Sequence, residues 1–151
     1  MKDTLTQDFI YNKTAHLSED TAFQSLLLWD EGCCFVRFDK DKKLIAAHVR
    51  HFKSYDLLKL ENNLLEFELT KIPITLLVSS QRHTLIPTDF FDENSAPSWL
   101  KKLHFIEANE LIKQDGLPQF KAHIAYPISV DVIALLEQYC AVVKVQSLAS
   151  V

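Results

Sequence analysis

The stretch that decides the fold is Ser25-Leu-Leu-Leu-Trp-Asp-Glu-Gly-Cys-Cys-Phe-Val-Arg-Phe-Asp39. Residues 26–29 form a continuous apolar run, which is typical of a strand buried on both faces. The following Asp30-Glu31-Gly32 predicts a tight turn, because glycine readily adopts the positive φ that many hairpin loops require. We therefore predict two antiparallel strands joined by this turn, with Gly32 at φ > 0.

The hairpin continues into a third strand and then into a helix. A charged turn at residues 39–43 is followed by residues 44–52, whose alternation predicts a strand with one wetter face. Apolar residues then recur with a helical period over residues 55–69, which predicts a helix that Ser54 caps. We expect this helix to pack on the sheet through Leu57, Leu58, Leu64 and Leu65.

The second half of the chain alternates between strands and helices. Residues 74–78 are apolar on both faces and predict a strand in the middle of a sheet. The glycine within residues 114–118 predicts a turn between two strands, and Ser129 predicts the cap of a helix. The remaining predicted elements are an extended piece at 84–87, short helices at 88–91 and 98–104, strands at 107–113 and 120–126, a helix at 130–140 and a strand at 141–145.

This order of elements predicts a ribonuclease-H-like α/β fold. A three-strand meander is followed by crossover helices, and such crossovers place helices on the faces of one mixed sheet. The same unit is doubled in actin-like ATPases. We predict that residues 22–151 form a single α/β domain of this kind. Residues 1–21 are predicted to form an irregular N-terminal arm with room for a short edge strand.

Composition excludes several classes of protein. The 151 residues are 48% hydrophobic, which is enough for one sizeable core. The 16 lysine and arginine residues against 20 aspartate and glutamate residues give a net charge of −4, so we expect no nucleic-acid partner. No apolar run approaches the roughly 20 residues of a membrane span. The three cysteines and the polar start predict a cytoplasmic protein without a signal peptide.

Two motifs resemble a known family. The first is an apolar strand followed by Asp-x-Gly-x-x-Phe at residues 30–35, a charged turn and another strand. The second is Thr84-Leu-Ile-Pro-Thr-Asp-Phe-Phe91 with its short helix. Together they resemble the uncharacterised bacterial family called domain of unknown function 3822. The resemblance implies an actin-like ATPase fold with no established activity, of which this chain is the first of two similarly built halves.

The fold implied by the resemblance raises the question of nucleotide binding. In actin-like ATPases the turn between the first two strands holds phosphate through backbone amides and hydroxyls. Asp30, Gly32 and Cys33 match that turn and are the candidate cofactor-binding residues for ATP and magnesium. Cys33 replaces the hydroxyl residue, however, and the nearby Phe35 shortens the loop to a plain hairpin. With only two glycines, the chain has neither a Walker loop nor a dinucleotide fingerprint.

A two-metal nuclease site is the other chemistry of ribonuclease-H-like folds. It needs several carboxylates that converge at strand ends. Asp30 and Glu61 could supply two of them, but the strand at 74–78 ends in Ser79-Ser80, which provides no third carboxylate. Solvated turn and helix carboxylates are the preferred interpretation, and we predict no metal site.

Histidines and nucleophiles offer no better support for catalysis. His48 and His51 lie an odd number of positions apart on one strand, so their side chains point to opposite faces. The apolar surroundings of Cys33-Cys34 predict buried, inert thiols. The serines and the histidine within residues 79–83 suggest a hydrolase, but no Gly-x-Ser-x-Gly elbow accompanies them. We therefore predict no catalytic residues.

These observations favour a non-catalytic, degenerate relative of the actin-like ATPase subdomains that acts in protein interaction or scaffolding. We expect a protein partner or a homodimer, formed through the C-terminal strand region or a sheet edge, where unpaired backbone groups invite association. The alternative is a weak nucleotide-binding ATPase, assembled from two copies or with a second half, that uses ATP and magnesium.

Overall fold

The computed structural model describes residues 8–12, 21–53, 56–67 and 72–151. The described residues form nine strands and three α-helices. The strands are β1 (Phe9–Asn12), β2 (Phe23–Trp29), β3 (Gly32–Phe38), β4 (Leu44–His51), β5 (Ile74–Ser79), β6 (Thr84–Pro87), β7 (Glu110–Leu117), β8 (Ala122–Ser129) and β9 (Val142–Ser147). The helices are α1 (Leu57–Glu66), α2 (Ala96–Leu103) and α3 (Val130–Glu137). None of these helices has the length and apolar character needed to cross a membrane.

Six strands form one mixed sheet in the order β1-β4-β3-β2-β5-β9. Strands β2, β3 and β4 make the predicted antiparallel meander, while β5 runs parallel to β2 and β9 runs parallel to β5. Helix α1 follows β4 and precedes β5, as a crossover helix does in a ribonuclease-H-like sheet. Strand β1, from the predicted N-terminal arm, pairs with β4 at the edge.

The core of this sheet is apolar on the face that α1 covers. Leu60 and Leu64 of α1 are fully buried, and the rings of Phe35 and Phe67 stack with centroids 4.9 Å apart. The side chains of Leu58 and Leu65 are instead 67% and 58% exposed, so their predicted packing is wrong. A helix turns about 100° per residue, which places these two leucines away from the buried stripe.

The start of α1 also differs from the prediction. Its N-cap is Asp56, whose side chain accepts a hydrogen bond of 3.1 Å from the Lys59 amide. The predicted cap Ser54 and the first predicted helical residue lie outside the described residues, as do residues 68–69. The described helix ends at Glu66, after which Phe67 forms a C-cap in helical backbone geometry.

The β2–β3 hairpin corrects the prediction about Gly32. Both glycines of the chain are described, and neither has a positive φ. Trp29 pairs with Gly32 across a two-residue loop, so Gly32 is already the first residue of β3. A Cβ atom at Gly32 would collide with the Arg50 carbonyl oxygen and lie 2.8 Å from Cζ2 of Trp29. Close approach, rather than a left-handed conformation, explains this glycine.

A second sheet, with three antiparallel strands in the order β6-β8-β7, is inserted between β5 and β9 in the chain. The sequence predicts a single sheet here. The predicted turn at residues 114–118 is wrong, because Gly116 pairs with His123 within the regular β7–β8 ladder. The turn follows β7 instead, in a 3₁₀ segment over Pro118–Phe120 that ends at Lys121 with φ 50°. Proline stops the strand because it cannot donate to the ladder.

Asp115 joins the two sheets. Its carboxylate accepts a hydrogen bond of 2.9 Å from the Tyr126 hydroxyl on β8 and another from the Ser147 amide at the end of β9. The Ser150 hydroxyl lies 3.4 Å from the same oxygen. Burial of Tyr126, followed by its bond to Asp115, raises the pKa of that phenol. These bonds connect the inserted sheet to the end of β9 in the larger one, beside the apolar core that the two sheets share.

The rest of the second half agrees with the predicted element types but not always with their bounds. Ser129 caps α3 as predicted, accepting a 3.2 Å hydrogen bond from the Asp131 amide. Helix α3 ends at Glu137, earlier than expected, and β9 begins at Val142. The short helix predicted at residues 88–91 is a 3₁₀ segment over Thr88–Phe90.

Candidate functional site

A pocket of about 580 Å³ opens where the parallel strands β2 and β5 end side by side, with Trp29 in register with Ser79. In open α/β sheets, binding sites form at this carboxyl edge of the strands. The pocket lies between the two sheets, because its wall continues onto β8 and the loop before β7. The lining residues are Leu28, Trp29, Asp30, Leu57, Val78, Ser79, Ser80, Arg82, Phe105, Glu107, Asn109, Glu110, Pro127, Ile128, Ser129, Asp131 and Val132.

An ion pair between Arg82 and Glu110 fixes the loop wall of the pocket. Two guanidinium nitrogens of Arg82 donate to the two carboxylate oxygens of Glu110 at 2.7 and 2.5 Å. Arg82 also donates to the Phe105 carbonyl at 2.9 Å, and the Glu107 amide donates to Glu110 at 2.9 Å. Bidentate geometry of this kind is the strongest form of an arginine–carboxylate contact.

The ionisation of the two partners follows from this contact. Burial alone raises the pKa of Glu110, but the hydrogen bonds from Arg82 and the Glu107 amide, together with the charge of Arg82, hold that pKa below its usual value. The bond to Glu110 raises the pKa of Arg82. Both groups are therefore charged at neutral pH, and the pair contributes no net charge to the pocket.

Asp30 belongs to the pocket, but its carboxylate is engaged. One of its oxygens accepts a 3.0 Å hydrogen bond from the Gln81 amide, which ties the β2–β3 loop to the segment after β5. Gly32 and Cys33 do not line the pocket, because Gly32 is the first residue of β3 and Cys33 is fully buried in the core. Of the three candidate cofactor-binding residues, the structure brings only Asp30 to the site.

The N-terminus of α3 faces the pocket, and a negatively charged side chain already lies in its first turn. Ser129 caps the helix, and Asp131 lies in its first turn, where a carboxylate compensates the helix dipole. Asn109 donates to Asp131 at 2.9 Å, and the Val130 amide donates to the Asn109 carbonyl at 2.9 Å. These bonds join the loop before β7 to α3 and complete the wall.

The charges that line the pocket are mainly negative. The described lining residues contain the carboxylates of Asp30, Glu107, Glu110 and Asp131 and the single cation Arg82. No cation of the described residues forms an ion pair with Asp30, Glu107 or Asp131. Arg82 is paired with Glu110, and its charge also acts on Asp30 and Glu107. Four lining carboxylates outnumber this one cation, so the net local field disfavours anions.

The family model described as "Protein of unknown function (DUF3822)" matches residues 25–151. The chain belongs to the DUF3822 family. No curated protein matches its sequence. A crystal structure from Bacteroides thetaiotaomicron, titled a protein with actin-like ATPase fold and unknown function, is similar with a TM-score of 0.70 at 17% identity. The match covers 89% of this chain and 55% of that one, so this chain spans about half of that protein's length.

The structural match confirms the predicted fold class. This DUF3822 chain has the actin-like ATPase fold, a member of the ribonuclease-H-like class, in a mixed sheet with helices. At 17% identity the similarity establishes the fold and nothing of the chemistry.

The residues considered for metal binding are dispersed in the DUF3822 structure. Glu61 does not line the pocket and instead accepts a 3.3 Å hydrogen bond from the Tyr139 hydroxyl. Within residues 8–12, 21–53, 56–67 and 72–151, no group of three or more histidine, cysteine or acidic side chains is arranged to hold a metal ion. His48 lies on the buried face of β4, 2.9 Å from the Asn12 amide oxygen, while His51 lies on the other face near Asp8.

The surroundings of the cysteines and of Ser80 in this DUF3822 chain indicate structural rather than catalytic roles. All three cysteines are free thiols, and burial raises the pKa of Cys33 to about 12. Burial also raises the pKa values of Cys34 and Cys140. Thiols of this kind stay protonated and poorly nucleophilic at neutral pH. The prediction that Cys34 is buried is wrong, because side chains alternate along β3 and that of Cys34 is only partly buried. The Ser80 hydroxyl accepts from the Arg82 amide at 3.0 Å, which identifies it as a turn residue.

Sequence reasoning missed Arg82, Glu110 and Asp131 as site residues. Arg82 and Glu110 are 28 positions apart, and neither belongs to a motif. Asp131 lies two positions after the predicted cap Ser129 and belongs to no motif either. The one available signal was the position of Arg82 and of the α3 cap just beyond predicted strands, where open sheets place their sites.

Proposed function

We propose that residues 22–151 act as one non-catalytic, protein-interaction domain in the cytoplasm, a degenerate relative of the actin-like ATPases. The observation that carries this proposal is the charge of the pocket at the strand ends. Three carboxylates face it without an ion-paired cation among the described residues, and its one arginine is bound to Glu110. A triphosphate placed there would be repelled, since like charges in a partly closed site interact more strongly than in water.

The short hairpin loop gives the same indication. Loops that hold phosphate present several backbone amides to one anion. The β2–β3 loop has only Asp30 and Glu31 between the paired Trp29 and Gly32. Its Asp30 carboxylate accepts the Gln81 amide, and its Glu31 carbonyl accepts the Phe52 amide at 3.0 Å. This loop supports a structural role better than a phosphate-binding one.

Exposed apolar side chains support the interaction role. Trp99 and Leu103 lie one helical turn apart on the outer face of α2, and Phe105 follows that helix with 79% of its side chain exposed. Phe90 and Phe120 are exposed on the 3₁₀ segments Thr88–Phe90 and Pro118–Phe120. An exposed apolar surface such as the one that Trp99 and Leu103 form on α2 is typical of surfaces that bind another protein or a second copy.

A thermal melt with Mg-ATP tests the absence of nucleotide function. We expect the same melting temperature with and without millimolar Mg-ATP. Ligand at a hundredfold excess over its dissociation constant would stabilise the native state by about 2.7 kcal/mol, which a melt detects readily. A saturable rise that Asp30→Ala removes would favour the alternative, a weak ATPase that uses ATP and magnesium.

Sedimentation of the purified protein tests whether it associates with itself. A homodimer that buries about 1,000 Å² or more should dissociate on dilution, with a concentration-dependent sedimentation coefficient. Trp99→Lys should weaken such a dimer if the α2 surface forms it, whereas Lys101→Gln on another side of the same helix serves as the surface control. A single monomer at high micromolar concentration would leave a different protein as the partner.

A further inference from the structure

We propose that the strand-end pocket receives a lysine or arginine side chain from a protein partner. This inference rests on the proposed interaction function and specifies the chemistry of the partner at that site. The pocket, rather than the outer apolar surface, is the part of the molecule where shape and charge together select one class of group.

The size and inner wall of the pocket suit a long side chain. Its volume of about 580 Å³ lies in the range of pockets that hold organic groups and far exceeds the space of one ion. The inner wall is apolar and includes Leu28, Val78, Ile128 and Val132, all of them buried. The methylene stem of a lysine or arginine can lie along such a wall while its charged head reaches polar groups.

The charged groups complement a cationic head. Asp30, Glu107 and Asp131 have no ion-paired cation among the described residues, and Arg82 is held by Glu110 and by the Phe105 carbonyl. Since the described residues offer no three-ligand arrangement for a metal ion, an organic cation with directional N–H donors is the better fit.

Two aromatic residues at the pocket strengthen this assignment. Trp29 forms part of the lining at the end of β2, and Phe105, which also lines the pocket, is largely exposed in the loop that Arg82 holds. Aromatic faces attract ammonium and guanidinium groups and repel anions. An apolar wall, carboxylates and aromatic rings in one pocket are the groups that recognise the stem and the charged head of lysine or arginine.

The two tryptophans of the chain allow a direct test. Trp29 lines the pocket, whereas Trp99 lies on α2 outside it. The protein is labelled with 5-fluorotryptophan and titrated with a blocked hexapeptide of alternating leucine and arginine, while ¹⁹F spectra are recorded. We expect a saturable shift of the Trp29 resonance, little change at Trp99, and no shift at Trp29 with the matching leucine–glutamate peptide.

Variants that each remove one carboxylate charge test whether the peptide binds in the pocket. Asp131→Asn and Glu107→Gln should each weaken peptide binding about two- to fivefold, the range measured for single exposed ion pairs. Glu137→Gln removes one carboxylate from the other end of the same helix and should leave the affinity unchanged. Thermal melts check that each variant is folded.

Each contrary result has a separate meaning. Equal shifts with the acidic peptide, or equal weakening by Glu137→Gln, would overturn the inference, as would the absence of any shift at Trp29. Saturation by free arginine at the same concentration would replace the protein partner by a small molecule. A Trp29 shift with Mg-ATP would overturn both this inference and the proposed function, whereas failure of the peptide alone would leave the interaction role standing.

Discussion

The two sheets of this domain share one apolar core but differ in the polar contacts added to it. Leu60 and Leu64 of α1 are buried against the six-stranded sheet, and Ile124 of the three-stranded sheet belongs to the same core. The three-stranded sheet is also joined by polar groups, namely Asp115 at the junction and the Arg82–Glu110 pair at the pocket. Apolar packing is sensitive to volume and insensitive to pH, while an ion pair responds to protonation. Substitutions should therefore distinguish the shared apolar core from the polar contacts by the kind of damage they cause.

The largest effect is expected in the apolar contact between α1 and the larger sheet. Leu64→Ala should lower the free energy of unfolding by about 2 to 5 kcal/mol, because it leaves a cavity in a closed core. Leu65→Ala is the matched control on the exposed side of the same helix and should change it by less than about 0.5 kcal/mol. Urea denaturation of both variants measures the difference. Equal losses would mean that α1 is turned differently on the sheet.

An effect of intermediate size on stability is expected from substituting the two glycines. Each of them lies in a strand of a different sheet. Gly32→Ala should cost about 1 to 3 kcal/mol, because the added carbon meets the rigid Arg50 carbonyl. Gly116→Ala places a carbon 3.8 Å from the His123 ring, an ordinary contact, and should be neutral or stabilise by up to about 1 kcal/mol. Melting temperatures would show the contrast. A tolerant Gly32 would contradict the close approach of β4 to the hairpin.

The smallest effect is expected from the ion pair of the inserted sheet, and it depends on pH. The pKa of Glu110 is held below its usual value in the folded protein, so the stabilisation is present above the unfolded pKa of about 4.3 and is lost as the pH falls through the folded pKa. Glu110→Gln should remove about 1 kcal/mol at pH 7 and much less at pH 3. Denaturation at both pH values measures this, with Glu137→Gln as control. A loss that is the same at both pH values would indicate a packing defect instead.

Prediction from sequence succeeded where the signal was local and apolar. The meander, α1 and β5 follow from short runs whose side-chain period distinguishes strands from helices. The apolar run 26–29 lies in the central strand β2, between β3 and β5, as predicted. It is not buried on both faces, because Leu26 and Leu28 are buried whereas Leu27 and Trp29 are partly exposed. The error on Leu58 and Leu65 has the same origin, because an apolar residue adds to a periodic count whether or not it faces the core.

Prediction failed for residues whose structural role depends on contacts with residues distant in sequence. Gly116 suggested a turn, but its pairing with His123 keeps it in a strand, and Pro118 sets the turn instead. Gly32 suggested a left-handed turn residue, whereas the approach of the Arg50 carbonyl explains why a side chain is absent. Both glycines were assigned from local turn chemistry, and both depend on the neighbouring strand.

By itself, the sequence determined the fold class and the negative overall charge, since these depend on short-range periodicity and on composition, and two of its motifs carried the family resemblance. Only the tertiary structure decided that Asp30, Arg82, Glu110 and Asp131 line one pocket and that Asp115 joins two sheets. The reason is physical. Hydrophobic patterns repeat along the chain and can be recognised locally, whereas a polar contact joins two single residues whose separation in sequence carries no period.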